Sequence, residues 1–345
     1  MTHETDPAIL VIVLNYRTAQ LSLKAASYAL TAMDGLAGAI TIVDNASGDG
    51  STQIIADAIK ERGWDRVSLV TSKVNGGFGA GNNLGMASGL SDGTRPDYVY
   101  ILNSDAWPRP DAIRHLLEAL QRDETAGFAG SRIVGEDGIL HRTAFRFPSV
   151  PGEFEGSVRT GLFTSLLRDW VVPLPVPERT APVDWVAGAS LMLRQDMLDE
   201  IGLFDETFFL YFEETDLCLR AARAGWVCLY VPDSEAVHLG SVSTGMRDWG
   251  RTPEYWFDSR LHYFVENHGR AYAVAATLSR ALGEGLWRLR CAVSGASRRD
   301  PPHFLRDLLI HALRTWFGAR KGRAIPATDG VQARPVDVIA RGDPT

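Results

Sequence analysis

Cysteine is scarce in this chain, with only Cys218, Cys228 and Cys291 among 345 residues. Three is an odd number and the spacings match no metal-ligand pattern, so neither a disulfide framework nor a cysteine-held metal organises the fold. Buried thiols in a reducing cytoplasm are the expected setting. Long apolar runs are missing as well. No stretch reaches the roughly 20 apolar residues that a membrane-spanning helix needs. Met1 to Pro7 is polar and acidic, and the apolar run that follows, Ala8 to Leu14, is only as long as a strand, so no secretory leader is expected. With 45% hydrophobic and 22% charged residues the composition is that of a globular protein, and the length suits one large or two ordinary domains. The net charge of -7 hides an asymmetry: from His268 to Arg323 there are eleven Lys or Arg against three acids, which leaves the rest of the chain strongly acidic. An acidic body does not suit nucleic-acid binding, whereas a basic tail calls for an anionic partner.

What is present is an alternation of apolar runs and helical patterns. Ala8 to Leu14 is continuously apolar and rich in β-branched residues, the mark of a strand buried on both faces, and it stops on Asn15-Tyr16-Arg17. Helical composition from Thr18 to Met33 leads to a second strand, Ala39 to Val43, ending on Asp44-Asn45. A turn at Ser47 to Ser51 hands over to a helix from Thr52 to Arg62, and Val67 to Thr71 is a third strand. Strands alternating with helices predict a parallel α/β sheet with right-handed crossovers. Tyr98 to Leu102 is a central strand that stops on Asn103-Ser104-Asp105. Ligands of such sheets collect beyond the carboxyl ends of the strands, which makes this stop the expected floor of a site; the same three residues would also serve as a plain turn before Pro108. Further strands are expected at Ala126 to Ile133 and Trp226 to Val231, with order returning at Trp185 to Leu193 and helices at Pro110 to Gln121 and Gln195 to Ile201. Between His141 and Asp184 periodicity is lost and Pro and Gly accumulate, so an irregular insertion is expected there.

Two stretches concentrate chemistry. Asn75 to Gly85 holds five glycines in eleven residues, a loop that can approach a ligand closely and open a helix whose free amides suit an anion. It is neither the dinucleotide fingerprint, whose third glycine is replaced by Asn82 counting from Gly77, nor a G-x-x-x-x-G-K phosphate loop, since no Lys follows. The second stretch, Phe208 to Cys218, runs from aromatics into Glu213, Glu214 and Asp216 at the first turn of a helix. Asp216 stands four residues before Arg220, the spacing of an ordinary ion pair. Glu213 and Glu214 can stabilise the helix start through its dipole, or, desolvated by the aromatic residues, act as a general base. His238, after the last strand, reads either as a hydrogen-bonded core residue or as a ligand.

Taken in order, Asn15-Tyr16, Asp44-Asn45-Ala-Ser47, the Asn75 to Asn83 glycine loop, Leu102-Asn-Ser-Asp105, Trp185-Val-Ala-Gly188, Phe208 to Cys218 and His238 resemble family 2 of the inverting glycosyltransferases, most closely its bacterial rhamnosyltransferase-like branch. The resemblance spans about Ile9 to Ser243. It implies a GT-A fold: a nucleotide-binding, Rossmann-like, mostly parallel sheet in residues 1–245, followed here by a helical, basic region over 246–323 and a disordered tail over 324–345. It also implies that Asp44 holds the base of a sugar nucleotide with Asn15 and Asn45 nearby, and that Asn75, Gly76, Asn82, Asn103 and Ser104 line the nucleotide pocket. Asp105 corresponds to the last acid of the D-x-D motif and His238 to a later metal ligand, for Mg²⁺ or Mn²⁺. Glu214 corresponds to the catalytic base, with Glu213 beside it and the choice between them open. Two departures from the family pattern are Asn103 in place of the first D-x-D acid, and Glu where many relatives carry Asp as the base.

The implied reaction moves a sugar, rhamnose from dTDP-rhamnose by family likeness, from a nucleotide-diphosphate donor to a hydroxyl of a glycan or lipid-linked glycan in cell-surface polysaccharide synthesis. A sugar nucleotidyltransferase and a non-catalytic nucleotide-sugar-binding protein are the alternatives; a nicotinamide-dependent oxidoreductase is disfavoured by the broken fingerprint. In the C-terminal region, helices are expected at Tyr255 to Asn267, Tyr272 to Val293 and around Phe304 to Phe317, carrying Leu, Trp and Phe interleaved with Arg. Such helices either pack on the catalytic sheet or lie in an anionic leaflet, which would place the protein peripherally on the inner face of the cytoplasmic membrane through 268–323.

Overall fold

A computed structural model describes residues 6–90, 92–240, 250–295, 301–317 and 338–339. The strands β1 (Ile9–Asn15), β2 (Gly38–Asp44), β3 (Val67–Thr71) and β4 (Tyr98–Asn103) alternate with α1 (Ala19–Ala32), α2 (Ser51–Glu61) and α3 (Gly77–Ser88). They pair parallel in the order β3-β2-β1-β4. After a short strand β5 (Ala106–Pro108) and helix α4 (Ala112–Arg122), β6 (Ala126–Val134) joins the same sheet. Between β4 and β6 lies β10 (Ser190–Arg194), antiparallel to both, so β6 keeps the direction of β4. The last long strand, β11 (Val227–His238), runs parallel to β6. Side chains alternate across the sheet: Ile9, Val11 and Val13 face α1, α2 and α4, whereas Leu10 and Ile12 face the opposite layer, which holds α3, α7 (Gln195–Ile201) and α8 (Glu213–Ala224). That alternation with apolar residues on both sides is what the uninterrupted apolar runs require.

Trp185 to Leu193 is ordered, as expected, and divides between two sheets: β9 (Trp185–Val186) pairs with β7 (Ala144–Phe145), and residues 187–189 lead on to β10. Two expectations need correction. The strand expected to end at Val231 continues to His238, because the register shift at Val231/Glu235 lets β11 step past Pro232, which has no N–H to offer, and rejoin β6. The stretch 141–184 is not irregular throughout. It contains β7, α5 (Val150–Val158), α6 (Gly161–Leu166) and β8 (Ala181–Val183), the last pairing with β11. Helix α5 escaped notice because its sequence has little helical periodicity; it is set by the Ser149 cap, whose Oγ accepts from Gly152 N at 3.2 Å, and by packing on the C-terminal helix α10 (Arg270–Ser294).

The C-terminal helices α9 (Glu254–His268) and α10 (Arg270–Ser294) are integrated into this body, and α11 (Phe304–Phe317) follows. Phe208 and Leu219 share one apolar cluster with Tyr263, Phe264, Ala273 and Ala276. The proposed tail over 324–345 lies mostly outside the described residues; within it Val338–Ile339 (β12) pairs with β3 at the sheet edge. A buried ion pair ties the insertion to the helices. Arg260, 2% exposed, meets Glu153 Oε2 at 3.0 Å and donates to Thr277 Oγ1 at 3.1 Å, while Arg280 Nη1 lies 3.4 Å from the same carboxylate. Burial raises Glu153, but the charges of Arg260 and Arg280 outweigh it and hold the carboxyl below its usual range. Removing one partner leaves a buried charge uncompensated, so Glu153→Ala is expected to lower stability by about 3–5 kcal/mol. The check is urea unfolding: the midpoint falls, and the slope stays that of the parent protein.

Candidate active site

Strand register builds the first wall. Asn15 stands opposite Asp44, and Leu14 opposite Asn103, so the polar ends of β1, β2 and β4 form one row at the carboxyl edge of the sheet. Asp44 is 3% exposed. Its Oδ1 accepts from Asn15 Nδ2 at 2.7 Å and from Ser47 Oγ, and its Oδ2 accepts from Thr52 Oγ1 at 2.8 Å. Asn15 also accepts from Ser22 Oγ at 2.8 Å and donates to Ser47 Oγ at 3.1 Å, so it holds Asp44 in place and has no free donor of its own. Ser47 and Thr52 are supporting residues to which sequence reasoning gave no role, although Ser47 lay within a recognised motif; nothing in a helix-starting Thr singles out Thr52. The turn between them and β2 needs Ala46 in the left-handed region, φ 57°.

The glycine loop forms the second wall. Asn45 Nδ2 donates to Asn75 Oδ1 and to Gly77 O, both at 3.0 Å, tying the end of β2 to the loop. Gly77 has φ 90°, and a Cβ there would fall inside the Phe209 carbonyl, to which Phe78 N donates at 3.0 Å. This close approach locks the loop to the aromatic segment. Gly76 lies against Ala80 in the first turn of α3, and Asn82 is fully buried with its Oδ1 unpaired among the described residues. Ser104 receives the Thr18 hydroxyl at 3.0 Å.

The remaining pair comes from opposite ends of the chain. β11 turns its last residues against β5, setting His238 across from Ala106, and Leu239 N donates to Asp105 O at 3.1 Å. His238 Nε2 consequently lies 3.1 Å from Asp105 Oδ1 and 3.4 Å from Asn103 Nδ2. Asp105 is 3% exposed and His238 side-chain atoms 19%. A carboxylate and an imidazole meeting in this way fit a divalent cation. Among the described residues no third His, Cys, Asp or Glu joins them, so the rest of the coordination would come from a ligand's oxygens, as is usual for Mg²⁺ bound with a diphosphate.

Glu213 and Glu214 open α8 beneath the aromatic segment. Tyr211 and Phe212, immediately before them, both sit in the left-handed region at φ 71° and 70°, a costly conformation for two aromatic residues. No sequence signal forecasts it. Burial raises the pKa of both carboxyls, and the Glu214 charge raises Glu213 further, well above the usual carboxylate range. The rise of Glu214 is moderated by its own amide and by the Gly188 amide, which donates to it. The two carboxyls titrate as a pair, and only Glu214 has the Gly188 amide among the groups that lower it. Ala189, the next residue, accepts from Asn103 N at 3.1 Å, so the two-residue segment 188–189 joins Glu214 to the end of β4. Gly188 is another position to which sequence reasoning assigned no role, although it lay within a recognised motif. Asp216 takes the ordinary part: it pairs with Arg220 at 2.9 Å and accepts from Asn267 Nδ2 at 2.7 Å. The clamp at Gly77 is open to test. Gly77→Ala should both destabilise the protein and weaken nucleotide binding, because the loop must pull away from Phe209; a melting temperature and nucleotide affinity equal to those of the parent protein would contradict the clamp.

Comparison with known proteins agrees with this architecture. The chain matches the family described as Glycosyl transferase family 2 over residues 10–169 and Glycosyl transferase family group 2 over residues 98–289, the latter more than half of its length. It is 32% identical over 222 residues to the N-acetylglucosaminyl-diphospho-decaprenol L-rhamnosyltransferase of Mycobacterium tuberculosis, covering 60% of this chain and 68% of that protein. It is 30% identical over 168 residues to rhamnosyltransferase WbbL of Escherichia coli, covering 47% of this chain and 60% of the relative. In fold it resembles the mannosyltransferase PcManGT from Pyrobaculum calidifontis, solved with GDP-Man and Mn²⁺, at a TM-score of 0.57 and 16% identity over 92% of this chain and 89% of the other. With a GT-A sheet, the family's motifs in order along its carboxyl edge and this sequence identity, the chain belongs to glycosyl transferase family 2, in its rhamnosyltransferase-like branch.

Proposed function

We propose that this glycosyltransferase moves rhamnose from dTDP-rhamnose to a hydroxyl of a lipid-linked glycan with inversion at the anomeric carbon, residues 1–245 forming the catalytic unit. The observation that carries the reading is the bridge at residues 188–189, which couples a buried carboxylate of raised pKa, Glu214, to the strand end that leads into Asp105. The sugar and the acceptor are suggested by the names of the two rhamnosyltransferase relatives.

In this reading Asp44, whose carboxylate has room for one more donor beyond Asn15, Ser47 and Thr52, receives the N–H of the pyrimidine base. Asn75, Gly76 and Asn82 line the nucleotide, the unpaired Asn82 Oδ1 being an acceptor turned to that use. Asp105 and His238, with Asn103 and Ser104 beside them, would hold Mg²⁺ or Mn²⁺, which supplies charge to the departing diphosphate. The Glu214 carboxylate takes the acceptor's proton as its oxygen attacks the face opposite the leaving group. Incubation with UDP-, dTDP- and GDP-sugars plus either cation is expected to release dTDP from dTDP-rhamnose fastest; release of pyrophosphate, or of nothing, would refute the reading.

Loss of Asp105 removes the carboxylate that anchors the cation, so Asp105→Ala should abolish turnover and His238→Ala should raise the cation concentration needed for half-maximal rate. Near-normal turnover of the Asp105 variant at saturating donor would remove it from this role.

The base must be ionised to act, and its pKa is raised in the folded protein, so activity is expected to rise with pH through that raised value and to fall away on the acid side. Glu214→Gln should lower kcat by about two to four powers of ten, leave nucleotide affinity nearly unchanged and flatten the acid limb. The Gly188 amide is aimed at Glu214, so Glu213→Gln should cost far less; the reverse ranking would exchange the two roles.

A further inference from the structure

Helix α10 has two faces of unexpected kind. Ala273, Ala276, Gly283, Glu284 and Cys291 point into the protein. On the opposite side Leu278, Leu282, Leu286, Leu289 and Val293 lie within about 80° of arc at 100° per residue, and they are between 40% and 83% exposed. A helix packed by one face on a soluble core carries polar residues on the other. Here the outward face is a leucine stripe about 22 Å long at 1.5 Å per residue.

Neighbouring helices extend the stripe. α5 runs against α10, where the bare Gly283 admits Ser157, and the Arg159 guanidinium at the end of α5 lies 5.6 Å from the Trp287 ring. α6 follows directly, held to α5 by Phe154 and Phe163 at 5.1 Å and by Thr164 Oγ1 donating to Glu155 Oε1 at 2.6 Å. Its Leu162 and Leu166 share a face and are 77% and 74% exposed. On the other flank α11 buries Phe304 and Leu308 against Trp256 and Phe257 and leaves Leu309 and Leu313 outside.

Exposed charge on the two long helices is of one sign. On α10 and α11 the exposed charged side chains are Arg270, Arg290, Arg306 and Arg314, while both acids, Glu284 and Asp307, are buried. We infer that the face formed by α6, α10 and α11 seats the protein on an anionic lipid bilayer, leucines entering the acyl boundary and arginines meeting the headgroups. The occupant follows from the combination: an apolar stripe flanked by exposed arginines on its own helices complements a negatively charged, fluid apolar surface. The docking is interfacial, since no described helix is long and apolar enough to cross a membrane. The sequence-based expectation for 268–323 changes accordingly: part of that segment is core, and the insertion helix α6 contributes to the surface. The face is mechanically tied to the site, because Tyr255 on α9 packs on Phe209 at 5.4 Å and Ser259 Oγ donates to Leu210 O at 3.0 Å. The inference assumes nothing about the sugar transferred.

The test is flotation of the full chain with vesicles of phosphatidylcholine alone or mixed with phosphatidylglycerol, over a range of salt. Binding is expected to the mixed vesicles and to weaken with salt, since headgroup attraction is screened. Leu278→Ser, Leu282→Ser and Leu289→Ser combined should reduce partitioning by more than about a hundredfold. Arg290→Gln and Arg314→Gln should each reduce it about fivefold. All these residues are exposed, so melting temperature and donor hydrolysis should match the parent protein. Equal binding by the triple variant, equal binding to neutral and anionic vesicles, or no binding to either would overturn the inference. So would a dimer that the leucine substitutions dissociate without any vesicle binding, since the stripe would then be a protein interface. Absence of donor hydrolysis in the parent protein would instead count against the proposed reaction alone.

Discussion

The pairing of the end of β11 with β5 is the contact on which the site depends. Asp105 and His238 are 133 residues apart, and neither its own strand nor its own loop would bring one to the other. β11 runs beside β6, shifts register at Pro232, and its last residues then lie antiparallel to the segment that leaves Asp105. A strand without that shift would keep its side chains in phase with β6 and present a different residue to Ala106. The geometry of two candidate metal ligands is therefore a property of a backbone irregularity some six residues away.

A second constraint is the burial of charge. Glu213 and Glu214 sit at a helix start where the dipole favours anions, but burial cuts them off from water and drives their pKa values up. Such a pair does not stabilise the fold. Neither do two consecutive aromatic residues in the left-handed region. Stability must come from elsewhere: the sheet core on both faces, the Gly77 approach to Phe209 that staples the glycine loop to this segment, and the α5–α9–α10 assembly around Arg260 and Glu153. The insertion and the C-terminal helices accordingly act as the back support of the carboxylate pair, and their outer surface is left for another task.

Much of this was legible in the residues. Continuous apolar runs dictated strands buried on both sides, and β1, β3 and α7 fall within a residue of where periodicity puts them. Polar clusters at strand ends marked the crevice, because parallel sheets offer their carboxyl edges to ligands. Asn15, Asp44, Asn45, Asn75 and Asn103 do converge there. What could not be read locally was α5, whose Gly- and Val-rich sequence has no periodic face and is helical only because α10 lies against it. Nor was the break at residues 187–189 legible, since an apolar run does not say where a chain leaves one sheet for another.

The sequence alone determined the fold class, the strand ends that bear the polar residues and the family likeness, because periodicity and strand-end chemistry are local and survive without knowledge of partners. Tertiary structure decided the rest: that Asn15 supports Asp44, that Asp216 belongs to Arg220 and Asn267, that the Gly188 amide is aimed at Glu214, and that the leucines of α10 face outward while its alanines face in. Each of these turns on which groups are close in space and which are cut off from water, and desolvation and hydrogen bonding act through distances that the order of residues does not contain.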